Sequence, residues 1–206
     1  MMQNKITDIK QQQKNNTRFS VYVDNRYLFS LDDVDLLKEK LSVGQVLTES
    51  DIERIKIRSE EGKCMHYALS LVQSRMYTER EIRRKLQLKK YSDDSIEITI
   101  SELKRYNYID DYSYAEMYAK EVEAKFGKLK IKQKLYEKGI SSDIIQSLLE
   151  TVDNGDSAIE ILKRKWRNAP IEGDDKQKAF RFLAQRGFDF EQAKKAIDTY
   201  MEAFYE

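Results

Sequence analysis

Apolar positions along this chain pass from an alternating pattern to a helical one. Phe19, Val21 and Val23 are interleaved with polar or aromatic residues, Asp24-Asn25-Arg26 supplies turn chemistry, and Tyr27, Phe29 and Leu31 alternate again. A period of two around a turn predicts a small antiparallel sheet over residues 1 to about 31, with a weaker strand around Ile6 to Ile9. Val34, Leu37 and Leu41 predict a short helix ending before Gly44. Thr48 and Asp51 have the spacing of a capping box leading into Ile52 and Ile55.

From about Gly62 the pattern is purely helical. Leu69, Val72 and Met76 form a stripe at i, i+3, i+7. Thr78-Glu79-Arg80-Glu81 is a capping box, so a helix starts there and carries Ile82 and Leu86 inward. Ser92 caps a third helix with Ile96, Ile100 and Leu103 on its inner face. Asn107 then stands where that helix ends and is expected at positive φ in the C′ position. Asp110 or Asp111 caps the next helix, with Ala115 and Tyr118 on it.

The same phrase now repeats. Leu86, Leu135 and Leu183 occupy one phase, 49 and then 48 residues apart. Tyr91, Ile140 and Phe188 follow five residues later, and then the N-caps Ser92, Ser141 and Asp189. Such a period marks tandem supersecondary units. The last helix of the second unit carries Ile144, Ile145, Leu148 and Val152. The third unit carries Ile159, Leu162 and Trp166, a loop from Ala169-Pro170 to Asp175, and a final stripe of Ala193, Ala196, Ile197 and Tyr200. The expected fold is mainly α: three tandem three-helix repeats at 62–106, 107–153 and 154–206. A small antiparallel β-sheet with linker helices precedes them at 1–61. Each of Leu86, Leu135 and Leu183 is expected to be buried in its own repeat.

Composition narrows the function classes. Charged residues make up 35% and hydrophobic ones 40%, which suits a soluble helical protein with much exposed surface. The single cysteine, Cys64, excludes a disulfide framework and a cysteine-based zinc site. The polar stretch Met1 to Asn16 has no signal-peptide character, and no run of about 18 apolar residues could span a membrane. Net charge is only +1, but its sign alternates along the chain. Arg75 to Lys90 holds seven basic and two acidic residues; Tyr91 to Ala124 holds nine acidic and three basic; Lys125 to Lys138 holds six basic and one acidic. In isolation each reads as a solvated helix face; recurrence at one repeat position points instead to a surface.

Catalytic chemistry is hard to assemble. His66 is the only histidine and Cys64 lies two residues away, with no orienting third group or oxyanion hole in view. Asp110-Asp111 reads as an N-cap and a first-turn dipole partner rather than a metal pair. Glycine-rich phosphate loops are absent. The tyrosines Tyr91, Tyr106, Tyr108, Tyr112, Tyr114 and Tyr118 recur near helical spacing and are read as core rather than as platforms for bases.

Residues 62 to 200 resemble the RecX family, regulators of the bacterial RecA recombinase. Arg75-Met76-Tyr77-Thr78-Glu79-Arg80-Glu81-Ile82 with Lys85-Leu86 is similar to the family's first-repeat signature. Tyr108-Ile109-Asp110-Asp111 with Tyr114-Ala115 is similar to the second, continued by Phe126-Gly127, Ile131, Leu135 and Lys138-Gly139-Ile140. Phe182-Leu183 with Arg186-Gly187-Phe188 is similar to the third. Arg18 to Leu31 and Leu47 to Ile55 resemble the extension of longer members. Lys90 and Asn107 depart from the glycines common there, so those helix ends are expected to be less sharply left-handed. Lys128 replaces a common proline after Gly127, which is expected to loosen that helix start.

The resemblance implies a cytoplasmic, non-enzymatic, monomeric protein without cofactor, metal or membrane. Its partner would be the RecA filament on single-stranded DNA, whose recombinase, ATPase and coprotease activities it would restrain in recombination, DNA repair and the SOS response. Binding to free single- or double-stranded DNA would be weak. The partner surface is assigned to the basic second helices: Arg80, Arg83, Arg84, Lys85 and Lys89 in the first repeat, and Lys128, Lys130, Lys132, Lys134 and Lys138 in the second. Reversing Arg83 with Arg84, or Lys132 with Lys134, is expected to leave thermal unfolding nearly unchanged. The alternative is a helix-turn-helix array that binds DNA directly, suggested by the Gly139-Ile140-Ser141 turn. Glu97 and Glu102 on the first repeat's third helix would repel phosphate.

Overall fold

The structure is a computed structural model that describes residues 4–13, 15–152 and 155–204. Its contacts divide the chain into two compact units. One comprises the chain up to Arg75 together with Ile82–Tyr108; the other comprises Met76–Glu81 together with Ile109 onward.

The first unit opens with an antiparallel sheet of β1 (Ile6–Gln12), β2 (Asn15–Val23) and β3 (Arg26–Asp32), in that order. Asp24 and Asn25 link β2 to β3 with φ of 47° and 64°. Two successive positive φ values give the turn whose twist matches a two-residue hairpin, and Asp and Asn tolerate them better than most residues. Val21, Val23, Phe29 and Leu31 then fall on one buried face with Ile6, Leu47 and Ile55. Asp32 caps the short helix α1 (Asp33–Lys38). The apolar phase expected there is corrected: Val34 and Leu37 are exposed, while Leu36 and Leu41 pack on the core.

Thr48 and Asp51 do form the capping box of α2 (Glu49–Val72), which runs unbroken through Gly62. The boundary drawn at 61/62 therefore falls inside one helix. Ser59 Oγ donates to the Ser30 carbonyl at 2.6 Å, and the buried Arg18 donates to the same carbonyl at 3.0 Å. This polar node fixes the sheet to α2, so the helix has no reason to break at its glycine. It also sets the helix's rotation. The residues α2 buries are Ile55, Ser59, Cys64 and Ala68; Leu69 and Val72 are only half-buried, and Met76 is exposed beyond the helix end. α3 (Glu79–Leu88) and α4 (Asp93–Arg105) complete the first triplet, burying Ile82, Leu86, Ile96, Ile100 and Leu103.

In the second unit, α5 (Asp111–Val122), α6 (Lys128–Glu137) and α7 (Ser142–Thr151) enclose Ala115, Ile131, Leu135, Ile145 and Leu148. The helices α8 (Gly155–Trp166), α9 (Asp175–Gln185) and α10 (Phe190–Glu202) enclose a separate core around Leu162, Leu183 and Ile197. The three repeat-phase leucines are each fully buried.

The left-handed turns are sharper than expected: Lys90 has φ 61° and Asn107 has φ 55°, beside Gly139 at 88° and Gly187 at 83°. Asn107 stands where it was expected, just past the α4 C-cap Tyr106. Its turn swings Tyr106, Tyr108 and Tyr112 outward, all exposed, and turns Ile109 into the core instead. Those three tyrosines are thus not core residues; Tyr114 is, and Tyr91 and Tyr118 are half-buried.

Candidate partner-binding surface

The second helices of the first two repeats, α3 and α6, each begin at a joint. The Thr78 N–H and hydroxyl share the capping box with Glu81, and the hydroxyl also donates to the Lys138 carbonyl at 2.9 Å. The Glu79 N–H donates to Asp111 at 2.9 Å. One repeat later Gly127 takes the place of Thr78 and has no side chain to cap with. The Gly127 N–H donates to the Arg186 carbonyl at 2.9 Å and the Leu129 N–H to the Gly187 carbonyl at 3.0 Å. Two of the donors at the α6 N-terminus are thus satisfied by the turn of the following repeat. That bonding, rather than the missing proline before Leu129, holds the start of α6.

These joints recruit several of the basic residues assigned to the partner surface. Lys138 lies 3.2 Å from the Glu81 carboxylate and 5.7 Å from the centre of the Tyr114 ring. The hydrogen bond with Tyr114 holds its ammonium above the ordinary lysine range, against desolvation and with help from Glu81. The stem of Arg80 packs against Gly139. Within the second repeat, Lys128 donates to the Leu149 carbonyl at 2.9 Å, near the negative end of α7.

Others are held within their own repeat. Arg83 is paired with Glu97 through both guanidinium nitrogens, one at 3.1 Å, and its side chain is only 29% exposed. Reversing Arg83 would place two carboxylates together, so the expectation of an unperturbed fold does not hold for that pair of substitutions. Lys130 donates to Gln133 at 2.8 Å. Lys134 sits over Phe126 at 5.1 Å and Lys89 over Tyr67 at 5.3 Å. Lys85 is half-buried and engaged in an interaction of its own. Arg84 and Lys132 are exposed and have no partner among the described residues, and the exposed Arg80 is engaged there only through its stem. Arg83, Arg84, Lys85 and Lys89 belong to the first unit; Arg80 and the α6 lysines belong to the second.

The candidate catalytic groups are dispersed. Cys64 is fully buried, and burial pushes its thiol up, away from the thiolate a nucleophile needs. His66 is exposed and meets Asn15 at 3.1 Å. Asp110 caps α5, accepting from the Tyr112 N–H and the Ser113 hydroxyl, which holds its carboxyl below the usual range. Among the described residues no group of acidic, histidine or cysteine side chains could hold a metal, and no helix is long and apolar enough to cross a membrane. The first turn of α4 carries Asp93 and Asp94, that of α7 Asp143 and that of α10 Glu191. A recognition helix that meets base edges with its N-terminal residues would place these carboxylates against phosphate.

Comparison with known proteins finds matches along most of the chain. Residues 4–48 match the regulatory protein RecX N-terminal domain, and residues 64–103, 110–149 and 153–197 match the first, second and third three-helix domains of RecX. A regulatory protein RecX from Clostridium perfringens (strain 13 / Type A) is 36% identical over 194 residues, covering 91% of this chain and 92% of the relative. One from Listeria monocytogenes serovar 1/2a is 34% identical over 201 residues, covering 93% of this chain and 74% of the relative. A crystal structure of regulatory protein RecX superposes with a TM-score of 0.76 at 27% identity, over 94% of this chain and 98% of that one. The RecX structure from Lactobacillus salivarius gives 0.63 at 22% identity, over 70% and 97% of the respective chains.

Proposed function

Because this chain belongs to the RecX family, we propose that it is a cytoplasmic, non-enzymatic regulator that binds the RecA–single-stranded DNA filament and restrains recombinase, ATPase and coprotease activity in recombination and repair. The observation that carries the reading is the unbroken order of all four RecX domains along residues 4–197. The basic second helices are the proposed partner surface. Within them Arg84 and Lys132 are the contact residues, because their charges are exposed and engaged with nothing else among the described residues. Lys138 and Arg80 support that surface by holding the joint between the first two repeats, and Lys128 by tying α6 to α7.

Arg84→Glu with Lys132→Glu tests this. Exposed reversals away from structural partners change stability within about 0.5 kcal/mol. Across an interface the same reversals turn attraction into like-charge repulsion. Thermal unfolding should match wild type while inhibition of RecA's DNA-dependent ATP hydrolysis falls sharply. Wild-type inhibition by the double variant at matched salt would remove the second helices from the partner surface.

A further inference from the structure

The second unit carries a cleft of about 720 Å³ between the α5–α6 turn, α8 and the end of α9. Phe126, Ile161 and Phe182 give it an apolar lining, and every ionisable residue around it is a cation: Lys125, Arg164, Lys165 and Arg186. Elsewhere on these helices basic residues meet carboxylates, as Lys163 meets Glu160 at 2.8 Å and Lys178 meets Asp175 at 2.7 Å. Lys125, Lys165 and Arg186 meet none among the described residues. Arg164 donates only to the main-chain carbonyls of Glu160 and Ala124, both at 3.3 Å.

We propose that this cleft is a docking site for an acidic peptide segment with interspersed apolar side chains, a partner surface separate from the second-helix cations. Charge complementarity selects the anion. Arg186 lies over Phe182, its guanidinium carbon 3.8 Å from the ring centre, and a guanidinium stacked on a ring can still fork to a carboxylate. The lining selects a peptide over a nucleic-acid strand. A single strand gains its affinity by stacking bases on open aromatic faces. Here Phe182 already carries Arg186, with Lys165 5.6 Å from its centre and Trp166 edge-on at 5.7 Å, and Phe126 carries Lys134. Apolar side chains of a peptide can instead cover what remains of these rings and Ile161 while its carboxylates meet the rim. This inference does not depend on the recombinase reading, since the protein alone should bind the peptide.

The test is fluorescence anisotropy with the full chain and a short labelled peptide alternating glutamate and leucine. Lys125→Glu with Lys165→Glu should weaken binding about tenfold or more. Lys194→Glu with Lys195→Glu, on exposed positions of α10 and with the same change in net charge, should leave it unaltered. Circular dichroism confirms that each variant is folded. Equal weakening by both pairs would reduce the effect to bulk charge and overturn the site. An oligothymidylate that displaces the peptide and is lost with the same cleft variant would make the cleft a phosphate site and overturn the peptide. Absence of saturable peptide binding overturns it outright.

Discussion

Lys90, Gly139 and Gly187 hold one place in successive repeats and share one left-handed turn, yet only the last two are glycines. Conformation alone does not decide this, since Lys90 adopts φ 61°. A Cβ on Gly139 would stand 2.1 Å from the Arg80 side chain, and one on Gly187 would stand 2.3 Å from the main-chain nitrogen of Lys130. Those turns are pressed against the start of the preceding second helix; Lys90 is exposed. Two outcomes follow for chemical denaturation. Lys90→Gly should stabilise by about 0.5–1 kcal/mol, because the left-handed strain of a side-chain-bearing residue exceeds the extra chain entropy of glycine. Gly187→Ala should cost more than Gly139→Ala, since a backbone atom cannot move aside as an arginine stem can. The reverse order would mean that positive φ, not the joint, selects these glycines.

At the scale of elements, what was legible was local. Capping at Thr48, Ser92, Asp110, Ser141 and Asp189 and the phase of Leu86, Leu135 and Leu183 depend on residues within one or two turns of each other. What failed depends on distant partners. Arg18 and Ser59 converge on Ser30 from separate elements and set the rotation of α2. Lys138 meets Glu81 across 57 positions, so a lysine that looked like free surface is a fastener. That role has a pH signature. Its folded-state pKa lies above that of the unfolded chain, so the stabilisation is complete below the unfolded value of about 10.4 and is lost as pH rises through the folded one. Denaturation of wild type against Lys138→Met should therefore give a gap that is widest near neutrality and closes in alkali. A gap that does not change with pH would assign the loss to packing of the lysine stem over Tyr114 and Tyr118.

For the whole molecule, charge sets what can be bound without a partner protein. There are 37 basic and 36 acidic residues, and of the basic side chains on the second helices only Arg80, Arg84 and Lys132 keep an exposed charge with no partner among the described residues. Counterion release from a single strand contributes about −0.7 to the salt slope for each phosphate neutralised. With about three cations available on the second helices, and those of the cleft assigned to a peptide, the slope for free single-stranded DNA should be about −2, and affinity should be weak at physiological salt. The acidic first turns of α4, α7 and α10 oppose any larger footprint. Binding to RecA-coated strands should be tighter at every salt concentration, because the partner would then be a protein surface and not the phosphates alone. Titrating labelled single-stranded DNA with and without RecA across salt separates the two modes. A slope near −5 that is independent of RecA would require about seven phosphates per protein and would establish direct DNA binding as the primary activity.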